Sequence, residues 1–142
     1  MDLKPALGAS TSFSKTVSES DVYLFAGVTG DLAPNHVDEQ FMRKTPYGRR
    51  IAHGALLVGY MSTASTMVNN LMAERVPSIF PVSLGYDKVR FLKPVFLGDT
   101  ITVRYIDPND PTDSITGGPF SVYLDTSTST GTFPLFSVGS NE

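Results

Sequence analysis

Apolar residues recur at helical spacing along one long stretch of the chain. Leu56, Leu57, Tyr60, Met61, Ala64, Met67, Val68 and Leu71 fall at intervals of one, three and four, which predicts a helix over roughly 53–72. Its second face is small and weakly polar, with Gly59, Ser62, Ser65 and Thr66, and no Asp, Glu, Lys or Arg occurs from Ile51 to Ala73. A helix without a charged side is usually wrapped by other structure. A membrane span needs about 20 predominantly apolar residues. Here His53, Gly54, Gly59, Asn69 and Asn70 interrupt the run, so a buried helix is expected instead.

Shorter elements flank it. Residues 11–18 are rich in β-formers and predict a first strand. Ser18 or Ser20 can cap a following helix, with Glu19 and Asp21 in its first turn and Val22, Leu24, Phe25, Ala26 and Val28 as its apolar residues. Gly27 and Gly30 loosen the chain, and Asp31 to His36 reads as a loop around Pro34 and Asn35. A short helix is expected over 37–44, opened by Asp38 and Glu39 and stopped before Pro46. Beyond Pro77 the pattern changes to strands, at 82–92 and, after Pro94 and Gly98-Asp99, at 100–106. Phe120, Val122 and Leu124 share one strand face, and 132–138 reads as a last strand weakened by Pro134. One helix facing several mostly antiparallel strands is an α+β architecture. No repeat or linker divides the 142 residues, so a single domain, 1–142, is expected.

Composition narrows the function. Net charge is −3, from 11 basic and 14 acidic residues, which argues against nucleic acid as the main partner. Cysteine is absent, which excludes disulfides and thiolate metal sites and fits a cytoplasmic location. The first 16 residues hold no apolar core of a signal peptide.

Three segments carry candidate chemistry. The first is Asp31-Leu32-Ala33-Pro34-Asn35-His36, the second Gly48-Arg49-Arg50-Ile51-Ala52-His53-Gly54. The third is Arg90-Phe91-Leu92-Lys93-Pro94-Val95-Phe96-Leu97-Gly98-Asp99. A carboxylate and an imidazole in one pocket can hold a single water and move its protons, and histidine titrates near neutrality. Five residues apart, the two would align poorly on a helix, but a proline-containing loop lets them converge. Taken singly, Asp31 reads first as a turn residue, and His36 reads also as a group that caps or satisfies local backbone.

In this order and spacing the segments resemble the MaoC-like dehydratases and (R)-specific enoyl-CoA hydratases. The resemblance runs from about Thr11 to Ile106 and is hard to see beyond Asp107. It implies a hot-dog fold, a long helix wrapped by a curved sheet. It implies reversible hydration of a trans-2-enoyl thioester on coenzyme A or an acyl carrier, with Asp31 and His36 activating water, and no cofactor or metal. It places the thioester oxygen at the start of the long helix, where free N–H groups and the helix dipole favour an anion. Gly54 is therefore the expected oxyanion donor, unless it serves only close packing. By the same resemblance Ser62 and Ser65 line the acyl pocket, with plain helix packing as the alternative, while His53 is structural. The relatives also imply a homodimer or a larger even assembly.

Two departures bear on activity. The family usually has asparagine where this chain has Ala33 and an aliphatic residue where it has Asn35. The tail is also unusual, with no Lys or Arg after Arg104 and Thr-Ser-Thr-Ser-Thr at 126–130. An acyl-thioester hydrolase and a non-catalytic acyl-thioester binder are the competing functions, since fold does not fix chemistry. Arg43, Lys44, Arg49 and Arg50 form the densest basic group, either a solvated surface or an attractor for coenzyme A phosphates.

Overall fold

A computed structural model of the chain describes residues 11–75, 89–106 and 121–125. The elements run β1 (Thr11–Thr16), α1 (Glu19–Thr29), α2 (Pro34–Val37), α3 (Glu39–Met42), α4 (Gly54–Arg75), β2 (Thr100–Ile106) and β3 (Ser121–Asp125). The expected strands at 132–138 and most of 82–92 lie outside the described residues. The described end of the latter, 89–92, is not strand.

The three strands form an antiparallel sheet in the order β1-β2-β3. Alternation sets its faces, since successive side chains on a strand point to opposite sides. Ile101 and Val103 are fully buried, with Phe13 and Tyr105 packed against the same cluster. On the other face Ser14 pairs with Thr102 at 2.9 Å and Thr16 with Thr100 at 2.8 Å, hydroxyl to hydroxyl. Leu57, Met61 and Ala64 of α4 bury against the apolar face with Val17, Val22 and Val95. The long helix therefore meets the sheet through a stripe of residues three and four apart, as its periodicity predicts. Among the described residues no helix is long and apolar enough to cross a membrane.

α1 starts at a capping box. The Ser18 hydroxyl accepts from the Asp21 N–H at 3.1 Å, and the Asp21 carboxylate accepts from the Ser18 N–H at 2.8 Å. Gly30 ends the helix in the left-handed region, at φ 78°, and returns its N–H to the Ala26 carbonyl.

The expected helix over 37–44 is corrected on two counts. Helical structure begins earlier, at Pro34, whose fixed φ suits a first helical position. It then breaks at Asp38, which is extended (φ −112°, ψ 100°) and whose carboxylate accepts from the Phe41 N–H at 2.9 Å to cap α3. Side-chain capping competes with helix continuation at such residues. His36 consequently sits in a single helical turn, not in a loop.

A tight turn ties the start of β2 to the end of β1. Gly98, at φ 92°, donates to the Val17 carbonyl, Val17 donates to that of Asp99, and the Asp99 carboxylate accepts from the Phe96 N–H. Beside it, Ala52 N–H donates to the Val95 carbonyl at 2.7 Å and Ile51 bridges to Phe96. These bonds fix the segment that leads into α4.

Candidate active site

The segment between α1 and α2 carries Asp31, α2 carries His36, and both come to the segment that opens α4. Asp31 follows the Gly30 cap, and its N–H donates to the Thr29 hydroxyl at 3.2 Å. Its carboxylate accepts from the Ala33 N–H at 3.3 Å and is half exposed. His36, by contrast, is buried to 9% exposure.

The partners of His36 define its protonation. Ring Nδ1 lies 2.8 Å from the Ile51 carbonyl oxygen, which can only accept, so Nδ1 carries the proton. In the neutral ring Nε2 is then a bare lone pair, the form a general base requires. The Asn35 side-chain amide nitrogen lies against the ring, 3.1 Å from Nε2 and 3.5 Å from Nδ1. The backbone completes the arrangement, because Ile51 N–H donates to the Asn35 carbonyl at 3.0 Å.

His53 lies beneath. It is 1% exposed, stacks on His36 with ring centres 3.7 Å apart, and meets Phe25 at 4.9 Å. Its Nε2 donates to the Asp31 backbone carbonyl at 2.9 Å. That bond leaves Nδ1 as a buried acceptor with no partner among the described residues. The ring thus props the loop that carries Asp31 and packs against the face of the His36 ring.

Asp31, His36 and His53 each offer a donor atom, all within 4.8 Å of one another. Nitrogen and oxygen ligands about 2.0–2.2 Å from a tetrahedral zinc lie roughly 3.3–3.6 Å apart, and His53 Nε2 lies 4.0 Å from the Asp31 carboxylate. The stacked rings also aim their nitrogens at separate partners, the Ile51 and Asp31 carbonyls. The spacing does suit one shared water, which makes two hydrogen bonds of about 2.7–3.0 Å.

His36 and Gly54 open on a cavity of about 300 Å³, near the lower end of small-ligand sites. Leu57, Phe91 and Val95 supply apolar wall. The Gly54 N–H begins α4 and has no acceptor among the described residues. Phe91 packs so close to Gly54 that a Cβ there would lie 2.7 Å from its ring. Glycine is therefore needed for this approach, and the same bareness exposes the N–H to the cavity. Phe91 is the wall residue that sequence reasoning missed. Its only sequence signal was its place in the third segment.

Ser62 and Ser65 do not line the cavity. Ser62 is exposed and Ser65 partly buried. Eleven residues beyond Gly54, Ser65 returns to nearly the same helix face, about 16 Å along the axis.

Most of the basic group is engaged internally. Arg50, only 13% exposed at its side chain, bonds both Glu19 and Glu39, while Arg43 pairs with Glu39 and Arg49 with Asp99. Arg49 also lies 3.9 Å over the Phe96 ring. Burial opposes the charge on Glu39, but hydrogen bonds from Arg50 and the nearby Arg43 outweigh it and hold its carboxyl below the usual range. These ion pairs brace α1 against α3 and the segment before α4.

Comparison with known proteins agrees with this geometry. The family profile described as MaoC like domain matches residues 3–110. An (R)-specific enoyl-CoA hydratase of Rhodospirillum rubrum is 39% identical over 95 residues, 67% of this chain and 60% of that protein. A 3-hydroxybutyryl-CoA dehydratase of Methylorubrum extorquens is 35% identical over 98 residues, 69% of this chain and 57% of that one. The match thus spans less than two thirds of either relative. Among solved structures, a monoamine oxidase regulatory protein from Archaeoglobus superposes with a TM-score of 0.68 at 28% identity, covering 93% of this chain and 85% of that one. An (R)-hydratase from A. caviae gives 0.64 at 24% identity, covering 94% and 90%. A long helix against an antiparallel sheet, with these neighbours, is the hot-dog fold, and the chain belongs to the MaoC-like dehydratase family.

Proposed function

We propose that the protein is a hydro-lyase that adds water reversibly to a trans-2-enoyl thioester, forming the (R)-3-hydroxyacyl thioester. The observation that carries this reading is the state of His36. Its Nδ1–H is committed to the Ile51 carbonyl, which leaves Nε2 as the base, and a nitrogen of the ring lies within 4.8 Å of the Asp31 carboxylate, a span one water can bridge. The names of the relatives, an enoyl-CoA hydratase and a hydroxybutyryl-CoA dehydratase, support the same chemistry.

The steps balance with a single water. Asp31 accepts one of its hydrogens and turns the oxygen toward the β-carbon. As the C–O bond forms, Nε2 takes a proton from the water, and the electron pair of the double bond moves toward the α-carbon and thioester oxygen. The Gly54 N–H stabilises that oxygen. The imidazolium then returns the proton to the α-carbon, and the site is restored. Dehydration is the same path reversed. The acyl chain follows the wall of Leu57 and continues along α4 toward Ser65.

The decisive experiment follows enoyl-CoA absorbance and free thiol together for a series of chain lengths. Loss of the conjugated absorbance without thiol release is expected, and Asp31→Asn should abolish most of it. Thiol release without hydration would replace this reading with a thioesterase, and tight binding with neither would replace it with a carrier.

We further propose that two copies assemble. Leu24, Val28 and Leu32 are 70%, 87% and 63% exposed, along one side of α1 and the loop after it, a patch of the kind that marks association. Sedimentation at micromolar concentration should give a species above 15.4 kDa.

A further inference from the structure

The loop that carries Asp31 has few ties to the rest of the molecule. Gly27 to Leu32 are all exposed, so burial does not fix them. The local hydrogen bonds of residues 30–33 run from Gly30 to Ala26, Asp31 to Thr29, Leu32 to Gly30, Ala33 to the Asp31 carboxylate, and from His36 and Val37 to Ala33. All of these stay within residues 26–37. Among the described residues, one hydrogen bond reaches the loop from farther along the chain. His53 Nε2–H donates across 22 residues to the Asp31 backbone carbonyl, at 2.9 Å.

His53 is built as an anchor. It is 1% exposed and contacts both the Phe25 and the His36 rings. Ala52 N–H before it is bonded to the Val95 carbonyl, and its own carbonyl accepts from Leu56 N–H at 3.1 Å as α4 begins. Packing alone does not account for an imidazole at this place. Nδ1 is a buried acceptor with no partner among the described residues, and such an atom carries a desolvation cost. A phenyl ring would stack on His36 without that cost. What phenyl lacks is the Nε2–H.

We propose that His53 is a positioning residue for Asp31. Its N–H pins the Asp31 backbone and so sets where the carboxylate stands relative to His36. Asp31 Oδ2 lies 4.0 Å from the same nitrogen, too far for a hydrogen bond. His53 thus holds the backbone and leaves that oxygen to water. The family resemblance assigns His53 to structure; the bond to Asp31 gives its ring a part in the reaction. This inference rests on the hydration reading of the site and deepens it, naming a third side chain on which water activation depends.

The test sets two replacements of the full chain against each other, by melting and by steady-state hydration of crotonyl-CoA. His53→Phe keeps an aromatic ring and loses the donor. It should melt close to the parent, while kcat falls roughly 10–10²-fold, the scale of a misplaced reacting group, with KM little changed. His53→Gln loses the ring and keeps an amide N–H where Nε2 stood. Its kcat should exceed that of His53→Phe by roughly tenfold, the worth of one hydrogen bond. Added to Asp31→Asn, His53→Phe should cost less than about twofold more, because the group it positions is already gone. A His53 that serves packing alone predicts the reverse. The phenyl variant would then outperform the glutamine variant, and its loss would be as large with Asp31→Asn as without. Either result overturns the proposal while the parent's activity stands. Should His53→Phe fail to fold, His53→Gln carries the test, since a folded glutamine variant as slow as Asp31→Asn overturns it equally. A parent that hydrates no enoyl thioester would instead overturn the hydratase reading, and this inference with it.

Discussion

The imidazoles of His36 and His53 lie face to face, with centres 3.7 Å apart and planes inclined by 27°. This contact makes His36 a packed residue as well as the proposed base. The loop that the sequence predicts over Asp31 to His36 implies that either residue can be replaced with folding intact. The buried stack restricts that expectation to Asp31.

The two single variants should therefore separate stability from chemistry. Asp31→Asn changes a half-exposed group and should melt with the parent while losing hydration by roughly 10²–10⁴-fold. His36→Ala should lose activity on the same scale and also melt about 3–10 °C lower, since it leaves a hole over buried His53 at a cost of about 1–3 kcal/mol. In the double variant the kinetic losses should not multiply, because the two groups act on one water. Equal melting temperatures for parent and His36→Ala would contradict the stacked arrangement.

Acid should weaken the fold through Asp21. Burial raises its pKa, but the hydrogen bond from Lys15, the bonds from Ser18 and the Lys15 charge outweigh this and bring it from 3.8 to about 2. A carboxyl whose pKa is lower in the folded state adds stability above its unfolded value and loses it as pH falls through the folded one. The contribution of about 2 kcal/mol is thus complete at neutral pH and disappears between roughly pH 4 and pH 2. Denaturant titrations should show a steeper loss over that window in the parent than in Asp21→Asn. Parallel curves would remove Asp21 as the source.

Gly54→Ala should act through Phe91. The new methyl would lie 2.7 Å from the ring, and since Phe91 is 51% exposed the ring can swing aside without unfolding the chain. Displacement at the thioester end should lower kcat/KM by roughly 10–10²-fold. Removing the obstruction with Phe91→Ala in the same chain should recover part of that loss. If Phe91→Ala recovers nothing, the new methyl acts by obstructing access to the backbone N–H, which alanine retains, rather than by displacing the ring.

Chain-length preference provides a check on α4. Ser65 lies on the Gly54 face of the helix about 16 Å away, so Ser65→Leu should raise KM for long enoyl chains and leave crotonyl-CoA unaffected. A uniform change across chain lengths would point to helix packing instead.

Much of this was legible in the residues. The α4 stripe, the Ser18 cap and the strand at Thr100 follow from local periodicity and capping, which depend on neighbours in the chain. The position of the Asp31–His36 pair was legible because its motif is local too. The stacking of His53 under His36 was not, since a buried imidazole and an exposed one look alike in a sequence. The split at Asp38 was missed because an acidic residue at the start of a helix reads the same whether it opens that helix or interrupts it. Phe91 escaped notice because its meeting with Gly54 joins segments 37 residues apart in the numbering.

The pairing of β1 with β2 bears on how the molecule assembles. Thr16 faces Thr100 and Thr11 faces Tyr105, so this ladder forms only after more than 80 residues of chain have been looped out. Such closure is entropically costly and slows folding, placing sheets with distant partners in the millisecond-to-second range. The residues proposed to handle the proton all fall between Asp31 and Gly54, a short span that can come together early. Yet the strap from Ile51 to His53 is anchored on Val95 and Phe96, which arrive with the late strand. Refolding should therefore restore helical signal before it restores turnover, with activity returning at the rate of sheet closure.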